Sequence, residues 1–189
     1  VDAIVVPRQV KTSLEDFMHS NPASALAQQC LQCPIWLTHG DIDPKKAAIY
    51  INDEHASMRI ADHAGYMLSS TDAIIELLRP AAKTTLPISC SPSQATRRLE
   101  GYADAHKISN LLRASEILVD NGIAEDRIRL TLIPDRGDPV TEILSWCAAN
   151  GIGIIGLGRS RTEGILGVLK TSATTKITTE FQNMAVWEA

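Results

Sequence analysis

The residues of this chain best suited to hold an anion lie in one segment near its end. Gly158, Arg159, Arg161 and Lys170 lead into Thr171-Ser172, and Ser172 opens an apolar helical pattern. Guanidinium and ammonium groups both bind phosphate. A serine at a helix start caps the first turn, where free backbone N–H groups also favour an anion. The plainer reading of the same residues is a solvated basic loop. A polar pair, Asn52-Asp53, ends the apolar run Ala47–Ile51, a position where Asp and Asn are just as often turn formers. His55 and His63 can share a broad helical face, but no third ligand is evident, which favours a surface or interface role over a metal site. Cys30 and Cys33 form a C-x-x-C without a second cysteine pair to complete a zinc set. Cys30 also falls on the stripe Ala23, Leu26, Ala27, Cys30, so a buried thiol is expected there. No Ser/His/Asp order, paired carboxylates or Walker-type sequence stands out, so no catalytic residue and no metal site is assigned.

The elements that must position these residues alternate between strand and helix patterns from Lys46 onward. Strands are predicted at Ala47–Ile51, Ala73–Leu78, Ile128–Ile133, Ile152–Leu157 and Ala185–Trp187. The helical face Ala61, Ala64, Gly65, Leu68 follows the first strand. The segment from Pro80 to Ser93, rich in Pro, Ser and Thr, reads as a flexible connection. One long helix is predicted from about Gln94 to Asn121, ending at Gly122. Asp138 is a plausible N-cap with Pro139 at the first helical position, and Val140, Ile143, Leu144 and Cys147 mark the buried face. A last helix starts at about Ser172. Five strands interleaved with four helices predict an open α/β fold, a parallel sheet with helices on both faces. Ligands of such sheets sit outside the carboxyl ends of the strands.

Composition narrows the setting. The hydrophobic share is 44%, ordinary for a globular protein. No apolar run approaches the roughly 20 residues that span a bilayer, so no membrane contact is expected. The net charge is −4 with a pI near 5.7, and no basic run offers a nucleic-acid surface. Four scattered cysteines point to a reducing compartment.

The chain also repeats itself. Asp2-Ala3-Ile4-Val5-Val6, a helix-like stretch from Asn21 to Gln32 and Cys33-Pro34-Ile35-Trp36 recur 151 positions later, the separation of Trp36 from Trp187. The second set is Gly153-Ile154-Ile155-Gly156-Leu157, Ser172 to Asn183 and Met184-Ala185-Val186-Trp187. A period that long means tandem domains, not a solenoid of about 20 to 50 residues per repeat. Beginning with Val and running straight into strand-like sequence, the chain is expected to be a piece of a longer protein that starts inside a first domain. Thr38 to Lys45 reads as the link between copies.

The order of elements, the acidic end of Ile49-Tyr50-Ile51-Asn52-Asp53, Gly137-Asp138-Pro139 and Ile154-Ile155-Gly156-Leu157-Gly158 together resemble the universal stress protein family. The resemblance covers 47–189 as a complete domain and 1–38 as the closing part of a preceding one, with 39–46 as linker. It implies a five-stranded parallel sheet of the adenine nucleotide α-hydrolase-like kind. In that family the fourth strand ends in a loop of pattern G-x2-G-x9-G-[ST], whose backbone N–H groups cradle the phosphates of ATP in nucleotide-binding members. The matching positions here are Gly158, Arg161, Thr171 and Ser172, so two of the three glycines are replaced. Glycine allows the positive φ and close approach that a phosphate cradle needs, and a side chain hinders both. In the first copy the same positions are Pro7, Val10, Ser20 and Asn21. Asp53, or Asn52 in a register one residue earlier, matches the acidic position beside the nucleoside.

The resemblance therefore implies a cytoplasmic stress-response regulatory or interaction module with a degenerate loop, not an enzyme, and with no cofactor. The alternative is an ATP-binding member in which Arg159, Arg161 and Ser172 contact phosphate and Asp53 the nucleoside, with slow hydrolysis. Family dimers pair their last strands across a two-fold axis. The resemblance thus implies self-association, or an internal pseudo-dimer in which Ile35-Trp36-Leu37 pairs with Ala185-Val186-Trp187.

Overall fold

Strands with both faces buried lie inside the sheet of this protein, and strands with an exposed face lie at its edges. The computed structural model describes residues 3–7, 33–52, 54–158 and 181–189. Its strands are β1 (Ile4–Pro7), β2 (Ile35–His39), β3 (Lys46–Tyr50), β4 (Ile74–Ala81), β5 (Ile88–Cys90), β6 (Ile128–Pro134), β7 (Ile154–Leu157) and β8 (Met184–Glu188). They form one eight-stranded sheet in the order β1-β2-β8-β7-β3-β4-β6-β5. β7 and β8 are buried at every position, whereas β1 alternates half-buried and exposed residues. Continuous burial is what a strand covered on both faces by helices requires.

The helices are α1 (Glu54–Leu68), α2 (Ala95–Leu99), α3 (Ala105–Asp120) and α4 (Pro139–Asn150). On one face Ile60, Ala61 and Ala64 of α1 and Leu111, Ala114 and Leu118 of α3 pack with Ala47, Ile49, Leu77 and Leu130 of the sheet. On the other, Val140, Ile143 and Cys147 of α4 pack with Ala48, Leu78, Ile133 and Ile155. Asp138 does cap α4: its carboxylate accepts from the Thr141 N–H at 3.4 Å and from the Thr141 hydroxyl at 2.7 Å.

The five predicted strands of residues 47–189 are present and mutually parallel, as β3, β4, β6, β7 and β8. Three further strands extend the sheet to eight. β5 lies antiparallel on β6 inside the segment expected to be a flexible connection, and the start of that segment, Pro80-Ala81, finishes β4. Short stretches such as Ile88-Ser89-Cys90 carry too few residues for a periodic signal, and pairing with β6 decides their state.

The predicted single helix from Gln94 to Asn121 is two. α2 ends at Leu99, and Gly101, at φ +88°, turns the chain before α3 begins at Ala105. Only glycine occupies that backbone region cheaply, so Gly101 is a stop signal that the surrounding helical spacing obscured.

At the other end, β1 and β2 run parallel to each other, as β7 and β8 do. β2 and β8 are antiparallel, with Trp36 opposite Trp187 and Leu37 opposite Val186. The repeated segments are thus related by a local two-fold axis through this pair. Thr38 and His39, expected in the linker, are the last residues of β2. The helix-like stretch 21–32, Cys30 and the predicted helix from Ser172 lie outside the described residues.

Candidate functional site

The chain reverses its direction of travel across the sheet beside β3. From β3 it proceeds through β4 to β6, then crosses back to β7 on the opposite side of β3. In folds with such a reversal, ligands usually sit in the crevice outside the carboxyl ends of the strands at that point, here β3 and β7. Tyr50 is paired with Leu157, so Ile51-Asn52 and Gly158 are the residues that follow the two strand ends.

The reason for glycine at 158 is local packing. A Cβ there would overlap the carbonyl carbon and oxygen of Ala56, and would lie 2.8 Å from the Ala56 Cβ. The end of β7 thus presses against the backbone of the first turn of α1, which a side chain would push away. Asn52 is tied to the same turn. Its N–H donates to Ser57 Oγ at 3.1 Å, and the Ser57 hydroxyl donates to Asn52 Oδ1 at 3.3 Å. Of the sequence-derived site residues, Gly158 is placed just past the carboxyl end of β7. Asp53, Arg159, Arg161, Thr171 and Ser172 lie outside the described residues.

The rim carries two residues that sequence reasoning did not single out. Arg79, near the end of β4, donates from Nη1 to the Ile51 carbonyl at 3.0 Å. Burial holds its pKa below the usual guanidinium value, opposed by Tyr50 and Asp104. Burial likewise raises the Tyr50 phenol, opposed by Arg79 and reinforced by Asp135. Arg79, Tyr50 and Asp135 therefore share the carboxyl rim around the end of β3. The available signal was an arginine directly after the strand-like stretch Ala73 to Leu78.

A second cluster lies at the β2–β8 seam. The rings of Trp36 and Trp187 are stacked, with centroids 4.2 Å apart and planes 8° from parallel. Trp36 Nε1 donates to His63 Nε2 at 3.0 Å, and the His63 ring meets both indoles edge-on. Accepting this N–H requires a lone pair on Nε2, which places any single ring proton on Nδ1. His63 thus serves the seam, while His55 is exposed. Among the described residues no three His, Cys, Asp or Glu side chains gather to hold a metal ion, and no helix is long and apolar enough to cross a membrane.

This combination of a parallel order about β3, helices on both faces and a reversal of strand order beside β3 defines an open, doubly wound α/β fold. The fold is that of the universal stress proteins. A universal stress protein from Archaeoglobus fulgidus superposes over 100% of this chain and 60% of its own length, with a TM-score of 0.67 and 12% identity. A universal stress protein solved in complex with cAMP matches 75% of this chain and 93% of its own, with a TM-score of 0.52 and 15% identity. Another from Archaeoglobus fulgidus, in complex with dAMP, matches 76% and 95%, with a TM-score of 0.50 and 11% identity. The present chain thus spans less than two thirds of the first of these proteins. No protein-family model and no curated protein matches the sequence.

Proposed function

We propose that this chain is a stress-response regulatory or interaction module of the universal stress protein type, without catalytic activity of its own. The β2–β8 seam carries this reading. It joins two strands from repeated segments in one chain and closes them with stacked tryptophans, so a dimer-like surface is built within the polypeptide as an internal pseudo-dimer. Residues 1–38 are then the end of a first domain and 47–189 a second. The loop after β7 is a degenerate phosphate cradle, a reading supported by side chains at Arg161 and Thr171 where the pattern needs glycine. It is supported too by Gly158, whose small size is accounted for by Ala56. The compartment is the cytoplasm, and self-association is internal, through the last strands.

Calorimetric titration with ATP, with and without magnesium, tests the degenerate loop. The expected result is no saturable heat. Tight binding would instead favour the second reading, a nucleotide-binding protein with a variant loop, which the cAMP and dAMP complexes of the fold relatives support. There Arg159, Arg161 and Ser172 hold phosphate and Asp53 the nucleoside, and Arg161→Ala weakens binding by about 1.5–3 kcal/mol, the scale of a hydrogen bond to a charged group.

A further inference from the structure

Arg79 is a half-buried cation that forms no close ion pair among the described residues; Asp104 acts on its charge only from a distance. Among the described residues its one hydrogen bond is to a neutral acceptor, the Ile51 carbonyl. A guanidinium has five N–H donors, so most of its donor capacity is unused at a position where burial already disfavours charge. The neighbouring carboxylates make their closest contacts elsewhere. Asp104 is ion-paired with Lys107 at 3.1 Å, and Asp135 Oδ1 accepts from the Gly137 N–H at 3.1 Å. Lys83, in the segment after β4, adds a second positive charge felt at Asp104.

The location gives this unused capacity a direction. Arg79 reaches over the carboxyl end of β3 from β4, while Gly158 follows the end of β7, the strand on the other side of β3. Neighbouring strands are about 4.8 Å apart, so the two positions are separated by roughly 10 Å across the top of β3. That is within the length of a small metabolite. We propose that Arg79 is an anion-binding residue of this rim, and that the crevice takes a small molecule bearing an oxyanion, a phosphate or a carboxylate, at its β3–β4 side. A planar guanidinium suits both groups because its paired N–H bonds match two oxygens at once. Arg79 belongs to β4, not to the loop after β7, so its role stands whether or not that loop binds ATP.

The test follows the Arg79 Nε–Hε resonance of the full ¹⁵N-labelled chain, assigned by its loss in Arg79→Lys, during separate titrations with inorganic phosphate, succinate and dAMP. A saturable shift is expected with at least one of the three, and the tightest of them identifies the source of the oxyanion. Arg79→Gln keeps an N–H for the Ile51 carbonyl and removes the charge, so calorimetry should show at least about tenfold weaker binding of that probe. Arg79→Lys keeps the charge but loses the fork, and its binding should weaken by less; it supplies the comparison if the glutamine variant does not fold. Absence of any saturable shift at Arg79, or an affinity unchanged in the variants, overturns the proposal. Arg161→Ala should leave the Arg79 response as it is, which separates this site from the ATP reading.

Discussion

Truncating the two seam tryptophans, singly and together, measures whether the repeated segments are energetically joined. A tryptophan buries about 150–250 Å², and at about 25 cal/mol per Å² the buried half of Trp36 contributes roughly 2–3 kcal/mol. Its N–H to His63 adds about 1 kcal/mol. Trp36→Ala should therefore cost about 3–4 kcal/mol, and Trp187→Ala, at 4% exposure, about 3–5 kcal/mol. The rings stack at 4.2 Å, and such a pair gives about 0.5–1.5 kcal/mol beyond area. The double variant should consequently lose about 1 kcal/mol less than the sum of the singles. Urea unfolding followed by far-ultraviolet circular dichroism is the suitable assay, since tryptophan emission changes with the substitutions themselves. Additivity within about 0.3–0.5 kcal/mol, the behaviour of distant sites, would refute the stacked seam. Trp36→Lys places a charge in the same stack, and unchanged stability and oligomeric state in that variant would refute it as well.

Two predictions concern the interior. Gly158→Ala drives a Cβ into the Ala56 backbone, whereas at Gly156 the nearest atom belongs to a side chain, Ile60 Cγ1 at 2.9 Å. Gly158→Ala should therefore destabilise by about 1–3 kcal/mol and Gly156→Ala by less; the reverse order in chemical denaturation would contradict the packing account. The Cys147 thiol is pushed up to about 12 from 9.0, first by burial and then by Glu76. The unfolded chain loses this proton at lower pH than the native one, so the contribution is intact below about pH 9 and disappears as pH rises towards 12. At about 1.4 kcal/mol per pKa unit it amounts to roughly 4 kcal/mol, and the raised Tyr50 phenol acts in the same direction. Cys147→Ala should flatten the alkaline fall in stability, and an unchanged slope would show that the thiol is not the titrating group. In the native protein at pH 8, Cys147 should resist alkylation until the chain unfolds.

Much of the architecture was legible because helices and central strands carry their burial in their spacing. The face Ala61, Ala64, Leu68 and the stripe Val140, Ile143, Cys147 are buried as their periodicities require. The cap at Asp138 followed from a side chain that can accept from the helix start, next to a proline suited to the first turn. β5 and the break at Gly101 were not legible. The strand exists through hydrogen bonds to β6, and helix-like spacing on both sides of the glycine concealed the turn. For the site, the family resemblance picked out Gly158 through its loop pattern, and the structure adds a contact with Ala56 that forbids a side chain there. Arg79 escaped notice because its contact is long-range, a hydrogen bond from β4 to Ile51 just past the end of β3.

By itself, then, the sequence determined the α/β class, the parallel strands and the repetition of two strand segments, since each is encoded in local pattern or self-similarity. Tertiary structure decided the order of the strands, the antiparallel meeting of Trp36 with Trp187, the position of His63 beneath them and the reach of Arg79 over β3. These depend on which distant segments share an edge or a face, and side-chain periodicity along one element carries no information about its neighbours.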